Sequence, residues 1–243
     1  MMVTPCPMQD LPGCLGPGPA PCLGTVRQGH ALCRTCWALV PQALQGDLSL
    51  AVARRRDGFN RHTSARFTRV LCAAKVAVEL ARRPAASLLC LSCPQPWCWA
   101  VVKAGCRSLP QVLPPLVPPG RMLWVALHAP GDVDAETLNW LRDEGLRPRV
   151  EPVNAVVAVA HLRGVVEGGA RCQDPWARGA AWVWQLDSVV ALPEPVPHQT
   201  CDPLWLPEPG LLDQIRRQWK AGRDLPPQLV TETMKVTFPW GDQ

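Results

Sequence analysis

At 243 residues, 47% hydrophobic and 19% charged, the chain can bury one large core or two smaller ones, and its 28 prolines and 11 tryptophans, with no tyrosine, favour turns and short elements over long helices. The net charge of +5 is uneven: residues 1–84 carry 11 Lys/Arg against 4 Asp/Glu and the rest 14 against 16, so the basic third suits an acidic partner, nucleic acid foremost, or is a solvated helix face. The first thirty residues lack a basic start with an apolar core, and no run reaches the ~18 apolar residues of a membrane span, which excludes secreted and membrane-embedded classes and predicts a soluble, cytoplasmic protein with no membrane partner.

Residues 1–45 hold Cys6, Cys14, Cys22, Cys33 and Cys36 in a Pro/Gly-rich context. Such a segment buries too little apolar area to order itself. A structural metal remedies this, because its binding free energy becomes folding free energy. In a reducing compartment the cysteines are metal ligands or buried thiols rather than disulfides. Cys33-Arg34-Thr35-Cys36 has the two-residue gap of a knuckle for tetrahedral zinc. With its lead-in Gly29-His30-Ala31-Leu32 and exit Trp37-Ala38-Leu39-Val40-Pro41, it resembles the small zinc-ribbon units of phage and bacterial proteins. That resemblance implies a preceding ligand separated from the knuckle by ten residues, the spacing of Cys22 to Cys33. Cys14 is the expected fourth ligand and Cys6 its alternative, so structural zinc is expected on Cys14, Cys22, Cys33 and Cys36. The competing reading is a leader with free thiols.

Residues 46–84 read as a basic helical connector. A helix over 42–56, interrupted by Gly46, repeats Leu44, Leu48 and Val52 at spacing four and ends in Arg54, Arg55 and Arg56, well placed for the negative end of the helix dipole. Asp57-Gly58 makes a turn. Thr63 or Ser64 then caps a second helix that Pro84 stops. Its apolar stripe is Phe67, Val70, Leu71, Ala74, Val78 and Ala81, with Arg66, Arg69, Lys75, Arg82 and Arg83 largely off it. A helical hairpin follows, with Arg54, Arg55 and Arg56 as candidate phosphate contacts.

Residues 85–209 read as a barrel of short strands. Residues 88–92 form a strand, and Cys90 and Cys93 pack in the core despite their two-residue gap, since free cysteine behaves as a small hydrophobe. Pro94 and Pro96 force a turn. A helix starts near Pro96, where a first-turn proline is tolerated, and Gly105 caps it. Trp97, Val101 and Ala104 share one face and Trp99, Val102 and Cys106 another, so the helix is expected to plug a core. A proline-rich loop over 110–120 precedes a strand over 122–129. Asp134 caps a short helix that Gly145 ends. Residues 153–161 are the most β-rich run, residues 182–197 alternate strongly, and 203–206 is a last short strand. Residues 210–243 form a tail: an amphipathic helix over 211–221, with Leu212, Ile215 and Trp219 opposite Arg216, Arg217 and Lys220, then a strand within 230–239.

Gln95-Pro96-Trp97, Trp99-Ala100 and Lys103-Ala104-Gly105, together with the Trp-containing strand and Leu192-Pro193-Glu194-Pro195-Val196-Pro197 near the end, resemble the ASCH domain. ASCH is a small β-barrel family similar to the PUA domains of RNA-modifying proteins. The resemblance implies an α+β fold: a small PUA/ASCH-like β-barrel with flanking helices, here preceded by the zinc knuckle and helical segment. In that family the helix leads into Gly-x-Lys-x-x-Glu-x-Arg. The aligned residues are Gly105, Arg107, Pro110 and Val112.

Some ASCH relatives bind RNA or modified bases, and others hydrolyse an amide such as acetylated cytidine with the lysine and an acidic residue. An amide hydrolase needs a group that changes protonation near neutrality. A guanidinium stays charged and a proline offers nothing. The expected function is therefore non-enzymatic binding of RNA or single-stranded DNA, with no catalytic residue and with Trp99, Lys103, Gly105 and Arg107 at the ligand. Trp99 is expected to be the more open of the two tryptophans and Trp97 the core one. One alternative is a divergent amidohydrolase on a modified base or nucleoside, with Glu151 or Glu167 as the acid. Another is a protein interaction module. His128 and His161 read as structural.

Overall fold

The structure is a computed structural model that describes residues 3–5, 25–27, 31–57, 61–82, 88–111, 123–150, 152–168, 175–177, 180–200 and 202–224. The chain forms two compact units, one of residues 1–87, 113–121 and 202–209, the other of 88–112, 122–201 and 210–243.

In the first unit, β1 (Val3–Pro5) and β2 (Thr25–Arg27) pair antiparallel, Val3 opposite Arg27. Helix α1 (Arg34–Ala38) follows, capped by Cys33, whose sulfur accepts the Cys36 amide. The amide of Gln45 donates to Trp37 O and Val40 O, both at 2.9 Å, satisfying carbonyls where α1 ends. Helix α2 (Gln42–Asp57) runs straight through Gly46, where an interruption was expected. Burial of Leu44, Leu48 and Ala51 outweighs the ~1 kcal/mol penalty of a helical glycine. Helix α3 (Arg61–Arg82) begins ahead of Thr63 and Ser64, which lie inside it rather than capping it. Its buried residues are Val70, Ala73, Ala74, Val76, Ala77, Val78 and Leu80, a broader face than the expected stripe. Leu71 is half-buried and Ala81 exposed. Helix α3 packs against both α2 and the short strand Leu204–Trp205, which widens its buried face.

The second unit is built on a mixed sheet. Its elements are β3 (Leu88–Ser92), α4 (Trp97–Lys103), β4 (Ser108–Gln111), β5 (Leu123–Ala129), α5 (Ala135–Asp143), β6 (Ala155–Glu167), β7 (Trp182–Pro197) and α6 (Pro209–Arg223). Five strands run in the order β4-β7-β6-β5-β3. β3 lies parallel to β5, with Leu89 opposite Val125, and the remaining pairs are antiparallel. Register shifts at Val156/Ala158, Val159/His161 and Leu162/Gly164 interrupt the long β6–β7 ladder. Each such bulge bends its strand and adds twist, so the sheet curls. Among the described residues β4 does not pair back onto β3, so the expected closed barrel is a curled half-barrel. Helix α4 packs against β5, β6 and β7. Leu89, Leu91, Leu109, Val125, Leu127 and Trp184 are fully buried with Ala100 and Val101.

Two further expectations are corrected here. Residues 108–111 form β4, with Pro110 opposite Val183, rather than opening the proline-rich loop. A proline is tolerated there because a sheet's outer strand has an N–H side without a ladder partner. The strand expected over 153–161 runs on to Glu167, since pairing with β7 outlasts the apolar run. Asp134 caps α5 as expected, accepting the Thr137 amide, and Gly145 follows it at φ 78°. The last strand, β8 (Leu204–Trp205), lies beside α3 in the first unit. The loop over 112–120 and the strand expected within 230–239 lie outside the described residues. Among the described residues no helix is long and apolar enough to cross a membrane.

Candidate ligand-binding site

The two ends of α4 are held by side chains, and the site follows from how. Gln95 is buried: its Oε1 accepts the Trp99 amide at 3.1 Å and its Nε2 donates to Pro152 O at 3.1 Å. Its carbonyl accepts the Asp134 amide at 2.7 Å. Pro96, the N-cap residue, has no capping side chain, so Gln95 supplies the acceptor an N-cap normally gives. Trp97 Nε1 donates to Asp134 Oδ2 at 3.0 Å, which also accepts Thr137 Oγ1 at 2.7 Å. Burial alone would raise the Asp134 carboxyl, but donors from the Thr137 amide and hydroxyl, Trp97 and the Glu136 amide outweigh it and hold it below its usual range. Trp97 meets Trp176 edge-on at 6.2 Å, and Trp176 meets Trp140 at 5.7 Å.

At the other end, the amides of Ala104 and Cys106 both reach Ala100 O at 3.0 Å. This requires Gly105 at φ 73°, a left-handed conformation that side chains disfavour. Arg107 then folds back. Its Nη1 donates to Val101 O at 2.9 Å and to Cys106 O at 2.8 Å, capping the last turn with a cation where the helix dipole is negative. Its carbonyl accepts Leu186 N at 2.7 Å, tying the turn to β7. The guanidinium is half-buried, and burial lowers its pKa, with Cys106 pulling the other way. Among the described residues no acceptor meets its Nε or Nη2, and no carboxylate pairs with it. Among the described residues the result is an oriented cation with Nη1 engaged and no partner on the Nε–Nη2 edge.

No protein-family model matches the chain, and no curated protein matches it. Among solved structures it is similar to the crystal structure of ASCH from Zymomonas mobilis, at 11% identity over 54% of this chain and 94% of that one, with a TM-score of 0.34. At that identity and score the likeness transfers no residue role.

The structure gathers Lys103, Gly105 and Arg107 at the C-terminal end of α4. It reverses the expected order of the tryptophans: Trp99 is buried, at 9% exposure, while Trp97 is half-buried. The reason is the Gln95 amide, which pins the first turn so that residues 98–101 face inward and Trp97 turns toward Asp134. Gln95 was legible only as part of the motif behind the family resemblance; its role as surrogate cap was missed because a glutamine between two prolines reads as part of a polar turn. Arg54 is exposed on α2, and the side chains of Arg55 and Arg56 lie outside the described residues. Glu167 is exposed at the end of β6, and Glu151 lies outside the described residues.

Of the expected zinc ligands, Cys14, Cys22 and the alternative Cys6 lie outside the described residues. Cys33 and Cys36 are buried, Cys33 Sγ accepts the Cys36 amide at 3.5 Å, and Arg82 Nη2 donates to Cys36 Sγ at 3.2 Å. Two buried sulfurs three positions apart, each accepting an N–H, are compatible with half of a tetrahedral thiolate set. Among the described residues no group of three or more potential ligands occurs. Cys90 and Cys93 are core residues: burial raises the Cys90 thiol, and a hydrogen bond with Cys98 followed by burial raises that of Cys93.

His128 is fully buried, with Nε2 donating to His198 O at 2.9 Å and Nδ1 3.1 Å from the Ser92 hydroxyl. Partner chemistry assigns the proton to Nε2. Burial lowers its pKa against the His198 carbonyl, which raises it, so the ring is neutral and structural. His161 bonds Asp187 at 2.8 Å through Nδ1, while its Nε2 is buried without a partner among the described residues.

Proposed function

We propose that the chain is a nucleic-acid-binding protein, with RNA or single-stranded DNA as partner, that recognises its ligand at the C-terminal end of α4 without transforming it. The observation that carries this reading is Arg107. A half-buried guanidinium has lost hydration, and the desolvation is offset here by two carbonyls on Nη1 alone. Its open Nε–Nη2 edge is a planar fork that matches a phosphate or the O6/N7 edge of guanine. Arg107 also stands where ASCH domains carry their lysine, and it cannot serve as a general base or acid near neutrality. Lys103, on the last turn of the same helix, adds a second cation.

The proposal includes structural zinc on Cys33 and Cys36, with Cys14 and Cys22 completing the tetrahedron. When bound, the metal supplies folding free energy to a segment poor in apolar residues. Arg82 Nη2 donates to Cys36 Sγ and the Cys36 amide to Cys33 Sγ, which orients the two described sulfurs.

Fluorescence anisotropy with short labelled RNA and single-stranded DNA tests the binding reading. Wild type is expected to bind, and Arg107→Gln to weaken binding about ten- to a hundredfold, the loss of a charge-assisted contact of ~1.5–3 kcal/mol. Arg107→Lys, which keeps the charge but not the fork, is expected to fall between. Absence of binding by wild type overturns the reading.

A further inference from the structure

The exposed face of α6 is a second, independent feature of the second unit. Residues 216–223, RRQWKAGR, carry four cations and no acid, in a part of the chain where acids outnumber bases. Arg216, Lys220 and Arg223 follow spacings of four and three, as do Arg217 and Lys220, so the four share one side of the helix. All four are exposed. At 1.5 Å per residue the stripe is about 10 Å long.

The opposite side of α6 is locked down. Ile215 is buried, and a Cβ on Gly222 would stand 2.5 Å from Ala191 O, so the helix lies directly on β7. Trp219 packs edge-on against Trp124 at 5.5 Å, and Gln218 exchanges hydrogen bonds with Glu194 at 3.2 Å in both directions. The apolar face is therefore consumed by the sheet. An interfacial membrane helix needs that face free, which argues against a lipid surface.

The local acids neutralise the stripe weakly. Asp213 stands 3.7 Å from Arg216 and Asp224 3.1 Å from Arg223, both pairs more than half exposed, and such pairs contribute little in water. Arg223 also lies over the Trp219 ring, 5.2 Å from its centroid. Among the described residues Arg217 and Lys220 form no ion pair. We propose that this stripe is a track for the phosphate backbone of a single-stranded nucleic acid. It rests on the nucleic-acid reading above and adds a surface distinct from Arg107. At the ~3.4 Å per phosphate of a duplex strand the stripe would face at most about three phosphates, and along a more extended single strand about two. Backbone contact positions a ligand and carries no sequence information, so the stripe sets affinity and salt dependence rather than specificity.

The test measures the affinity of the full chain for a short fluorescein-labelled RNA between about 50 and 200 mM salt, for wild type and the double variant Arg217→Gln/Lys220→Gln. Both residues are solvent-facing, and a matching thermal midpoint confirms that the variant folds. Each lost phosphate contact lowers the log–log salt slope by about 0.7, so the double variant is expected to lose about 1.4. An unchanged slope with wild-type binding intact overturns the phosphate track and leaves the Arg107 reading standing. Wild type that binds no RNA overturns both. A parallel arm uses phosphatidylserine-containing vesicles: vesicle binding that the double substitution abolishes, with the RNA slope unmoved, assigns the stripe to membranes and overturns the proposal.

Discussion

A few polar side chains set the geometry of α4. Gln95 holds its first turn, Asp134 fastens Trp97 beside it, and Arg107 closes its last turn. Asp134 joins two elements, since it also N-caps α5 through the Thr137 amide at 3.0 Å. Its folded pKa is depressed, so its contribution is present above the unfolded value of ~3.9 and is lost as pH falls through the lower folded value. Asp134→Ala is therefore expected to lower stability by about 1 kcal/mol at neutral pH, the usual loss of an N-cap. Urea denaturation across pH checks this: the gap between variant and wild type should begin to narrow as pH falls below about 4 and close only below the depressed folded value. A gap that persists in acid would mean that the side chain acts through packing alone. Arg107 was legible in the sequence as a cation after the helix glycine. Its capping role was not, because that depends on the chain turning back to Val101 O. Gln95 entered the sequence reading only through the family resemblance, and its role in holding α4 was hidden because its partner Pro152 is brought near only by the fold.

Among elements, those with both a period and a cap were readable. Strand β3, helix α5 with Asp134 and Gly145, and the alternating β7 follow directly from apolar spacing and end residues. Readings went astray where packing overrode a local rule. Leu44 and Leu48 carry α2 through Gly46, and β7 recruits Pro110 into β4. The curl of the sheet was beyond reach, because it arises from register shifts between β6 and β7 that depend on partner strands. Helix α1 is too short to be stable alone. Its cap, the Gln45 bonds and the Arg82 contact with Cys36 hold it. Metal analysis of purified protein is expected to find about one zinc per chain, and Cys36→Ser to abolish it. Metal-free wild type would sink the zinc reading and leave Cys33 and Cys36 as buried thiols.

For the whole molecule, charge is distributed against the average. The basic excess lies in residues 1–84, yet the second unit carries Arg107 just beyond α4 and the four-cation stripe on α6. The α6 backbone is fixed against the sheet, and the Arg107 guanidinium is held by Val101 O and Cys106 O, so both sets of charge sit on fixed supports. The Arg107 guanidinium is the more diagnostic of the two, because a half-buried cation with an open edge has fewer structural explanations than exposed arginines on a helix. Nuclear magnetic resonance of the Arg107 Nε–H in isotopically labelled protein, titrated with RNA, tests that claim most directly. A saturable shift of that resonance, absent with an uncharged osmolyte, is the predicted result. A resonance that stays in place while RNA saturates the protein would contradict it.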